Sequence, residues 1–259
     1  KNNKEIVFAV QFKGFQIGEG NSTGSNFGVI GPVNMGGGYE NMYVNYDFAA
    51  SFDSSDIRFW WNITNRNTNG DYNQQLPPFW TPWKWHSPRN TWSGSERPFD
   101  WPVLRYADVL LMYAEALNGA GSTPPSEAYR AINKVRARAR MKAGDKDDLT
   151  PWLDALIKKR LQEHPTDVNV LPDLANLTKE QFLEALLREQ VWELCWEGQR
   201  KAALIRTGKL KEYITEPRYT PQMYNYYPGL EFNEARDYWL PIPQREIDIN
   251  PNLKQNPEY

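Results

Sequence analysis

Residues 101–140 have the apolar periodicity of two consecutive α-helices, so any fold of this chain has to accommodate a helical pair. Pro102 suits the first turn of the first helix, where a missing N–H is tolerated, and Gly119 and Gly121 predict its end. The apolar stripes comprise Val103, Tyr106, Ala107, Leu110, Leu111, Ala114 and Leu117 in the first helix, and Ala128, Ala131, Ile132, Val135 and Ala139 in the second. The pair has about the length of one tetratricopeptide unit, roughly 34 residues, but no second copy follows at that period.

A third and longer helix is predicted from Thr178 to Gly208, because Thr178 is a favourable cap and Gly208 a favourable terminator. Its apolar stripe comprises Leu183, Leu187, Val191, Leu194, Cys195, Ala202 and Ile205. The intervening residues 141–178 are charged and interrupted by proline, with a further helix predicted near Trp152–Leu161. The tail, Tyr213–Tyr259, is rich in Pro, Asn and Tyr and is predicted to be irregular.

Residues 1–100 differ from the helical part because they are rich in glycine and in aromatic side chains. The segment Glu5–Phe12 is short and rich in β-branched and aromatic residues, which predicts a strand. Residues 14–38 are rich in glycine, and no later window up to residue 100 sustains a helical period. Seven tryptophans lie between residues 60 and 101: Trp60, Trp61, Trp80, Trp83, Trp85, Trp92 and Trp101. We therefore expect loops with a few short strands, packed through aromatic rings.

The overall charge and the scarcity of cysteine and histidine exclude several function classes. A formal net charge of −2 argues against a protein that binds nucleic acid by neutralising phosphates. The single cysteine, Cys195, excludes an internal disulfide and a cysteine-rich zinc site, and its place on an apolar stripe indicates an inert buried thiol. Two histidines leave little for a metal centre, and the glycine-rich loop matches no phosphate-binding motif. We expect no cofactor and no metal.

Three acidic residues, Glu189, Glu193 and Glu197, are spaced four residues apart on the long helix. Such a row fits either a carboxylate site for acid–base or metal chemistry, or an ion-pair network that holds the helix to its neighbours. We favour the network, because the carboxylates of a glycosidase face each other across the substrate, whereas these three lie in one row.

Basic residues near the helical pair are interpreted in a similar way. Arg105 and Asp108, at the start of the first helix, predict ion pairs between packed helices. Arg136, Arg138 and Arg140 lie near the end of the second helix, where the helix dipole favours cations, and we expect them on a solvated face.

Three parts of the sequence together carry a resemblance to a known family. They are Arg105–Asn118 (RYADVLLMYAEALN) followed by Ala131–Arg138 (AINKVRAR), then Arg188–Lys209, and finally Leu240–Pro251 (LPIPQREIDINP) with the ending Gln255–Tyr259 (QNPEY). In this order and spacing they resemble the SusD/RagB family of nutrient-binding outer-membrane lipoproteins from Bacteroidota. With the opening Glu5–Phe8, the resemblance covers nearly the whole chain, but the chain is similar to only the C-terminal half of such a protein.

The resemblance implies a mainly α fold: an α-superhelix of tetratricopeptide-like helical pairs with a large irregular, loop-rich face and a few short strands. Residues 1–100 are then the loop-rich, aromatic-rich, ligand-facing region, and residues 101–259 the helical scaffold and C-terminal wrap, completed by a missing N-terminal half. Two departures from the family pattern, Gln190 for the usual Arg and Ala203 for the usual Asp, affect scaffold positions.

The resemblance also implies a role. Members of the family bind oligosaccharides at the cell surface, without catalysis, and deliver them to a SusC-like TonB-dependent transporter in the outer membrane. A lipidated cysteine is then expected upstream of Lys1. Some members bind peptides, so delivery of oligopeptides remains an alternative. A glycoside hydrolase is less favoured, because the sequence identifies no facing pair of carboxylates.

The ligand residues of this family lie in variable loops, so the candidates rest on the local pattern of residues. A sugar ring packs its apolar face on an aromatic plane, and its hydroxyls pair with amide or guanidinium groups. The candidate platforms are Trp80, Trp83, Trp85 and Trp92, with Tyr39, Tyr43 and Tyr46 as a second group and Arg58, Asn62 and Arg66 as partners for hydroxyls. The tryptophans interpreted as core residues are Trp101, Trp192, Trp196 and Trp239. No catalytic residue is predicted.

Overall fold

The computed structural model describes residues 3–13, 20–27, 38–39, 41–44, 48–49, 51–53, 56–64, 81–85, 99–140, 171–215 and 232–259. The chain divides into two compact units, Lys1–Gly198 and Gln199–Tyr259. The described elements of the first unit are β1 (Ile6–Val10), α1 (Thr23–Phe27), α2 (Arg58–Asn62), β2 (Ile63–Thr64), β3 (Thr81–Pro82), β4 (Trp101–Arg105), α3 (Tyr106–Ala120), α4 (Ser126–Ala139) and α5 (Lys179–Leu194). Those of the second unit are α6 (Arg200–Arg206), α7 (Leu210–Thr215) and α8 (Gln244–Ile249). The prediction of a mainly α fold with a few short strands is confirmed.

The helices α3 and α4 form the predicted pair, and α5 packs against both of them. The three helices share an apolar cluster of Ala107, Leu111, Ala114, Ala128, Ala131, Ile132, Val135, Phe182, Leu186 and Leu194. Burial of a large apolar side chain contributes about 1.5–3 kcal/mol, so this cluster is a main source of stability for the first unit. In the part of the chain that the structure describes, no helix is long and apolar enough to cross a bilayer.

The N-terminus of α5 is fixed by the predicted cap at Thr178. Its hydroxyl accepts a hydrogen bond from the backbone N–H of Gln181 at 3.2 Å, and the Gln181 side-chain oxygen accepts one from the backbone N–H of Thr178 at 2.9 Å. The ammonium of Lys179 donates to the carbonyl oxygens of Gly119 and Gly121 at 3.0 and 2.8 Å. A cation is favoured at a helix C-terminus, so these bonds hold the start of α5 beside the end of α3.

The C-terminal half of the long predicted helix is interrupted. The prediction of one continuous helix to Gly208 is wrong, because α5 ends at Leu194 and α6 begins only at Arg200. Between them, Trp196 and Gly198 have φ angles of +65° and +83°. A right-handed helix cannot pass through two left-handed residues, and Gly198 adopts this conformation without steric cost.

The strand predicted at Glu5–Phe12 is confirmed as β1, which pairs with β4 in an antiparallel sheet. In this sheet Ala9 lies opposite Pro102. The expectation that Pro102 lies in the first turn of a helix is therefore wrong, and α3 begins only at Tyr106. Pairing with a strand far away in sequence decides the conformation of β4 against the local helical pattern.

In its described residues, the second unit consists of three short helices joined by turns and irregular segments. The tail that the sequence predicts to be irregular also contains the short helix α8. The guanidinium of Arg200 lies 4.6 Å from the centroid of the Tyr213 ring. Gln255 exchanges two hydrogen bonds with the backbone of Ile242, at 2.8 and 2.9 Å. The expectation that Trp239 is a core residue is wrong, since its side chain is exposed. The helix predicted near residues 152–161 lies outside the described residues.

Candidate functional site

A cluster of buried charges lies along α5, where Glu189 and Glu193 occur one helical turn apart. Arg58 of α2 binds both carboxylates, since its Nη1 atom lies 2.6 Å from Glu189 Oε1 and 3.1 Å from Glu193 Oε2. The other oxygen of Glu189 accepts from Arg136 of α4 at 2.8 Å. Arg58 is also bound to Asp56, at 2.6 Å. The cluster thereby holds α2 and α4 to α5.

The cluster continues through Arg105, at the junction of β4 and α3. Its Nη1 atom lies 2.6 Å from Glu193 Oε1, and its Nε atom 2.8 Å from Glu197 Oε2. The same Nη1 atom is 3.0 Å from Glu5, just before β1. Lys84 donates to Glu197 and, at 2.8 Å, to the carbonyl oxygen of Glu193. Glu5 and Arg105 lie at the two ends of the loop-rich part of the chain, and these contacts anchor both of them to the C-terminal end of α5.

The cluster contains equal numbers of carboxylates and cations, and these cations keep Glu193 ionised. Its carboxylates are Glu5, Asp56, Glu189, Glu193 and Glu197, and its cations are Arg58, Lys84, Arg105, Arg136 and Arg138. Burial alone would raise the pKa of Glu193, but the charges of Arg105, Arg58 and Arg138 outweigh burial and lower this pKa to about 2. Glu193 therefore stays ionised near neutral pH and has no proton to give to a substrate.

The prediction of an ion-pair network along α5 is confirmed by these contacts. The expectation of a solvated face is wrong for Arg136, because this side chain is buried and donates twice to the carbonyl oxygen of Pro172, at 3.0 and 2.8 Å. Arg138 is bound to both Glu193 and Glu5.

Among the residues that the structure describes, no group of three or more His, Cys, Asp or Glu side chains is arranged to hold a metal ion.

Cys195 lies directly after α5 and is buried. Burial raises the pKa of its thiol to about 12. The thiolate, which is the nucleophilic form, is therefore scarcely populated near neutral pH. The prediction of a buried thiol is confirmed, and its raised pKa supports the interpretation that it is inert.

Two of the predicted partners for sugar hydroxyls, Arg58 and Asn62, serve the scaffold. The side-chain amide of Asn62 donates to the carbonyl oxygen of Trp192 at 2.7 Å. The backbone carbonyl of Asn62 accepts from Trp196 Nε1 at 3.1 Å and from the backbone N–H of Trp83 at 2.7 Å. Arg58 and Asn62 are both buried. The prediction that they contact a ligand is therefore corrected: they hold α2 to α5.

The predicted platforms Trp83 and Trp85 follow β3, which pairs with β2. Trp83 is only 6% exposed, too little for a sugar ring to stack on it, and its prediction as a platform is corrected as well. Trp85 is half-buried, its ring stacks on that of Trp101 with centroids 5.1 Å apart, and its Nε1 donates to the carbonyl oxygen of Trp196 at 3.1 Å. One face of the Trp85 ring is thus already used within the protein.

Two other predicted platforms, Tyr39 and Tyr43, are exposed. With Asn41 and Met42 they form what we call the tyrosine segment, and their own exposed fractions are 55% and 52%. The backbone N–H of Tyr39 donates to the carbonyl oxygen of Ser25 at 2.8 Å, and that of Asn41 donates to the carbonyl oxygen of Asn26 at 3.1 Å. The helix α1 therefore holds the start of the tyrosine segment.

The other end of the tyrosine segment is fixed by burial. Val44, the next residue, is buried in a cluster with Ala49 and Ile63. The helix α1 is itself attached to the scaffold, because the Asn21 side chain donates to the carbonyl oxygen of Phe99 at 3.3 Å. A binding surface whose backbone is already ordered loses less conformational entropy when a ligand arrives, so this segment is preorganised.

Asn41 is a further candidate that the sequence analysis missed. It is exposed between the two predicted tyrosine platforms, and its side chain donates to Asn26 Oδ1 at 3.3 Å. Its position between Tyr39 and Tyr43 is the signal that identifies it. The other predicted ligand residues lie outside the described residues: Trp80, Trp92, Tyr46 and Arg66.

Curated proteins with similar sequences share one family name. A SusD-like protein, P25, from Formosa agariphila is 30% identical over 216 residues, which cover 81% of this chain and 33% of that protein. A SusD-like protein from Bacteroides ovatus is 32% identical over 168 residues, which cover 62% of this chain and 30% of that protein. The chain thus spans about a third of the length of these relatives.

Solved structures of SusD-like proteins have a similar fold. A SusD homolog from Bacteroides thetaiotaomicron has a TM-score of 0.71 and 24% identity, over 98% of this chain and 52% of that chain. Surface glycan-binding protein A from the same species, solved with laminarihexaose, has a TM-score of 0.63 and 20% identity, over 97% and 52%. These folds are tetratricopeptide-like and helical, which confirms the predicted architecture. The family model described as the SusD family matches residues 58–259, and the chain belongs to that family.

Proposed function

We propose that this chain is part of a cell-surface protein that binds oligosaccharides without catalysis. The observation that carries the proposal is the tyrosine segment, which presents two exposed rings on a backbone fixed at both ends. An aromatic plane packs against the apolar face of a sugar ring, and the amide of Asn41 and the tyrosine hydroxyls can pair with sugar hydroxyls. Two similar structures, a laminarin-binding SusD-like protein and one in complex with laminarihexaose, support laminarin oligosaccharides as the first ligands to test.

The proposed site also includes residues around this segment. Trp85 offers one ring face beyond its stack on Trp101. Trp80, Trp92, Tyr46 and Arg66 remain proposed ligand residues on the strength of the sequence pattern. A shallow site of this kind, built from a few rings and polar groups, has an affinity of about micromolar to millimolar Kd.

Two features favour binding over hydrolysis. Glu189 and Glu193 project from α5 and Glu197 from the turn after it, and all three are bound by cations that hold the scaffold together, so they do not form a facing pair across a substrate. The low pKa of Glu193 excludes it as a general acid near neutral pH. This arrangement supports the proposal of a role without catalysis.

Membership of the SusD family supports a wider role for the longer protein. We place it at the outer membrane as a surface lipoprotein, with its lipidated cysteine upstream of Lys1. The bound oligosaccharide is then passed to a SusC-like TonB-dependent transporter. The same delivery role with oligopeptides as cargo is the alternative, and a peptide ligand at the tyrosine segment would select it.

Calorimetry on the full-length protein tests the proposal. We expect saturable binding from a panel of plant, microbial and host glycans that includes laminarin oligosaccharides. Tyr39→Ala and Tyr43→Ala should each weaken binding about fivefold to tenfold, because one ring stack contributes about 1 kcal/mol. Tyr259→Ala is the matched control, since Tyr259 is also about half exposed but lies in the other unit.

The outcomes separate the alternatives. Glycan binding that is unchanged in both tyrosine variants would remove the tyrosine segment from the site and leave glycan binding intact. Binding of a mixed peptide digest, with no glycan signal, would replace oligosaccharides by oligopeptides. Turnover of any glycan, abolished by substituting one Asp or Glu, would overturn the proposal of a role without catalysis.

A further inference from the structure

Charge is distributed unevenly around the tyrosine segment. Residues 14–57, which include this segment, contain no Lys, Arg or His, although the whole chain has 30 Lys and Arg residues. The carboxylates of the same stretch are Glu19, Glu40, Asp47, Asp53 and Asp56. In the sequence, Glu40 lies directly between Tyr39 and Asn41. The tyrosine segment therefore belongs to a stretch of negative net charge, in a chain whose formal net charge is only −2.

The cation that follows this stretch is not available to a ligand. Arg58 is buried, and its guanidinium lies 2.6 Å from Asp56, 2.6 Å from Glu189 and 3.1 Å from Glu193. A ligand that drew the guanidinium away from these carboxylates would leave buried charges without a partner, which is strongly unfavourable. An anionic group at the tyrosine segment therefore cannot recruit Arg58 as its counter-charge.

The described polar groups that hold the tyrosine segment are uncharged. Asn41 donates to Asn26 through its backbone N–H at 3.1 Å and through its side chain at 3.3 Å. The helix α1, which includes Asn26, contains no charged residue. At the start of α1, the backbone N–H of Thr23 donates to the side-chain oxygen of Asn21 at 2.8 Å, so it is already used within the protein. Amides and hydroxyls suit the hydroxyls of a neutral sugar, whereas carboxylates and sulfates are bound most strongly by charged donors such as Arg.

We infer that the tyrosine segment selects uncharged oligosaccharides and disfavours those that carry carboxylate or sulfate groups. The inference rests on the proposed glycan-binding function and deepens it by naming the class of sugar. An anionic sugar at this position meets carboxylates of its own sign and no cation from residues 14–57. Two like charges about 6 Å apart in water repel enough to weaken binding about threefold, and salt reduces this effect. Rejection of the wrong ligand by repulsion is a common source of specificity.

Pairs of ligands that differ only in charge test the inference on the full-length protein. One pair consists of laminarin oligosaccharides and the same oligosaccharides with their primary hydroxyls oxidised to carboxylates. Each other glycan of the panel gives a further pair, by oxidation of a neutral glycan or by reduction of the carboxyl groups of an acidic one. We expect the uncharged member to bind at least about fivefold more tightly in calorimetry at low salt, and the difference to shrink at high salt.

Variants that change the charge of the segment sharpen the test. Asn41→Lys places a cation between the two tyrosines, and it should raise the affinity for the oxidised oligosaccharides about threefold or more relative to the uncharged ones. Asn41→Gln is the matched control without a charge and should leave the ratio of the two affinities unchanged. Asn252→Lys adds the same charge at an exposed position of the other unit and should also leave the ratio unchanged. A purely structural effect of a substitution would weaken both members of a pair alike.

The outcomes separate a failure of this inference from a failure of the proposed function. Tighter binding of the charged member of a pair would overturn the inference and leave glycan binding intact. Loss of that preference in Arg66→Gln would then identify Arg66 as the cation that binds the anion. Equal affinities within a pair, unchanged by Asn41→Lys, would also overturn the inference, because charge would then have no part in selection. Absence of saturable binding by every glycan, charged or uncharged, would overturn the proposed function and the inference with it.

Discussion

The charged cluster along α5 and the tyrosine segment both combine aromatic rings with polar side chains, but the first is buried and the second is exposed. In the cluster, Arg58 is paired with Glu189 and Glu193, which lie far from it in the sequence. Because its guanidinium is buried among these partners, it has no room for a ligand. In the tyrosine segment, Tyr39 and Tyr43 keep exposed rings on a fixed backbone. The two regions show that residue type alone does not assign a binding role. Burial and the partners of each polar atom decide it.

The largest expected effect in this comparison comes from the centre of the cluster. Glu193→Gln leaves Arg105 and Arg58 buried without their shared counter-charge, and we expect it to lower the free energy of unfolding by about 3–5 kcal/mol. Urea unfolding of the full-length protein measures this. The matched control is Glu127→Gln, which removes a charge from an exposed pair with Arg130 and should leave the unfolding midpoint unchanged. Equal midpoints for both variants would show that the cluster is not a source of stability.

Acid should weaken the charged cluster along α5. The pKa of Glu193 is lowered from 4.5 to about 2 in the folded protein, so its contribution to stability is complete above about pH 5 and is lost as the pH falls through about 2. The difference in urea midpoint between the native protein and Glu193→Gln should therefore shrink between about pH 5 and pH 2. A difference that stays constant over this range would contradict the assignment of an ionised Glu193 to the cluster.

Local patterns predicted the helical part of the fold well. The end of α3 near Gly121 and the cap of α5 at Thr178 depend on residues within a few positions, so capping and termination rules identify them. The break after Leu194 and the strand at Pro102 were mispredicted for the opposite reason. The first depends on left-handed φ angles at Trp196 and Gly198, and the second on pairing with β1 at the far end of the loop-rich region.

The exposure of a candidate ligand residue could be predicted only where it follows from the local sequence. Tyr39 lies in a polar, glycine-rich neighbourhood, and the structure exposes it as expected. Arg58 and Asn62 also occur among polar and aromatic residues, but their partners, Glu189 and Trp192, lie 131 and 130 residues further along the chain. No pattern within a short window contains such a contact, so the sequence could not distinguish these scaffold residues from ligand residues.

A smaller effect is expected from the hydrogen bond that joins α2 to α5. Asn62→Ala removes the donor to the carbonyl oxygen of Trp192 and should lower the free energy of unfolding by about 1–3 kcal/mol, since both groups are buried. Asn41→Ala is the matched control. Asn41 is exposed, so in this variant water can take the place of its amide as the hydrogen-bond donor to Asn26. The two unfolding free energies, measured in urea, should differ by at least about 1 kcal/mol. If they coincide, Asn62 is not part of the scaffold, and its role as a ligand residue becomes open again.

The smallest expected effect on stability comes from the tyrosine segment itself. Tyr39→Ala and Tyr43→Ala remove rings that are more than half exposed, so each should change the free energy of unfolding by less than about 0.5 kcal/mol. Thermal unfolding and glycan titration of the same samples give both readouts. Unchanged stability with weakened binding would mean that the rings are kept for a ligand, because an exposed ring that adds nothing to stability has no structural reason to be held on a fixed backbone. A loss of stability as large as that of Asn62→Ala would instead make these rings part of the core. The tyrosine segment would then not differ from the buried cluster in its role.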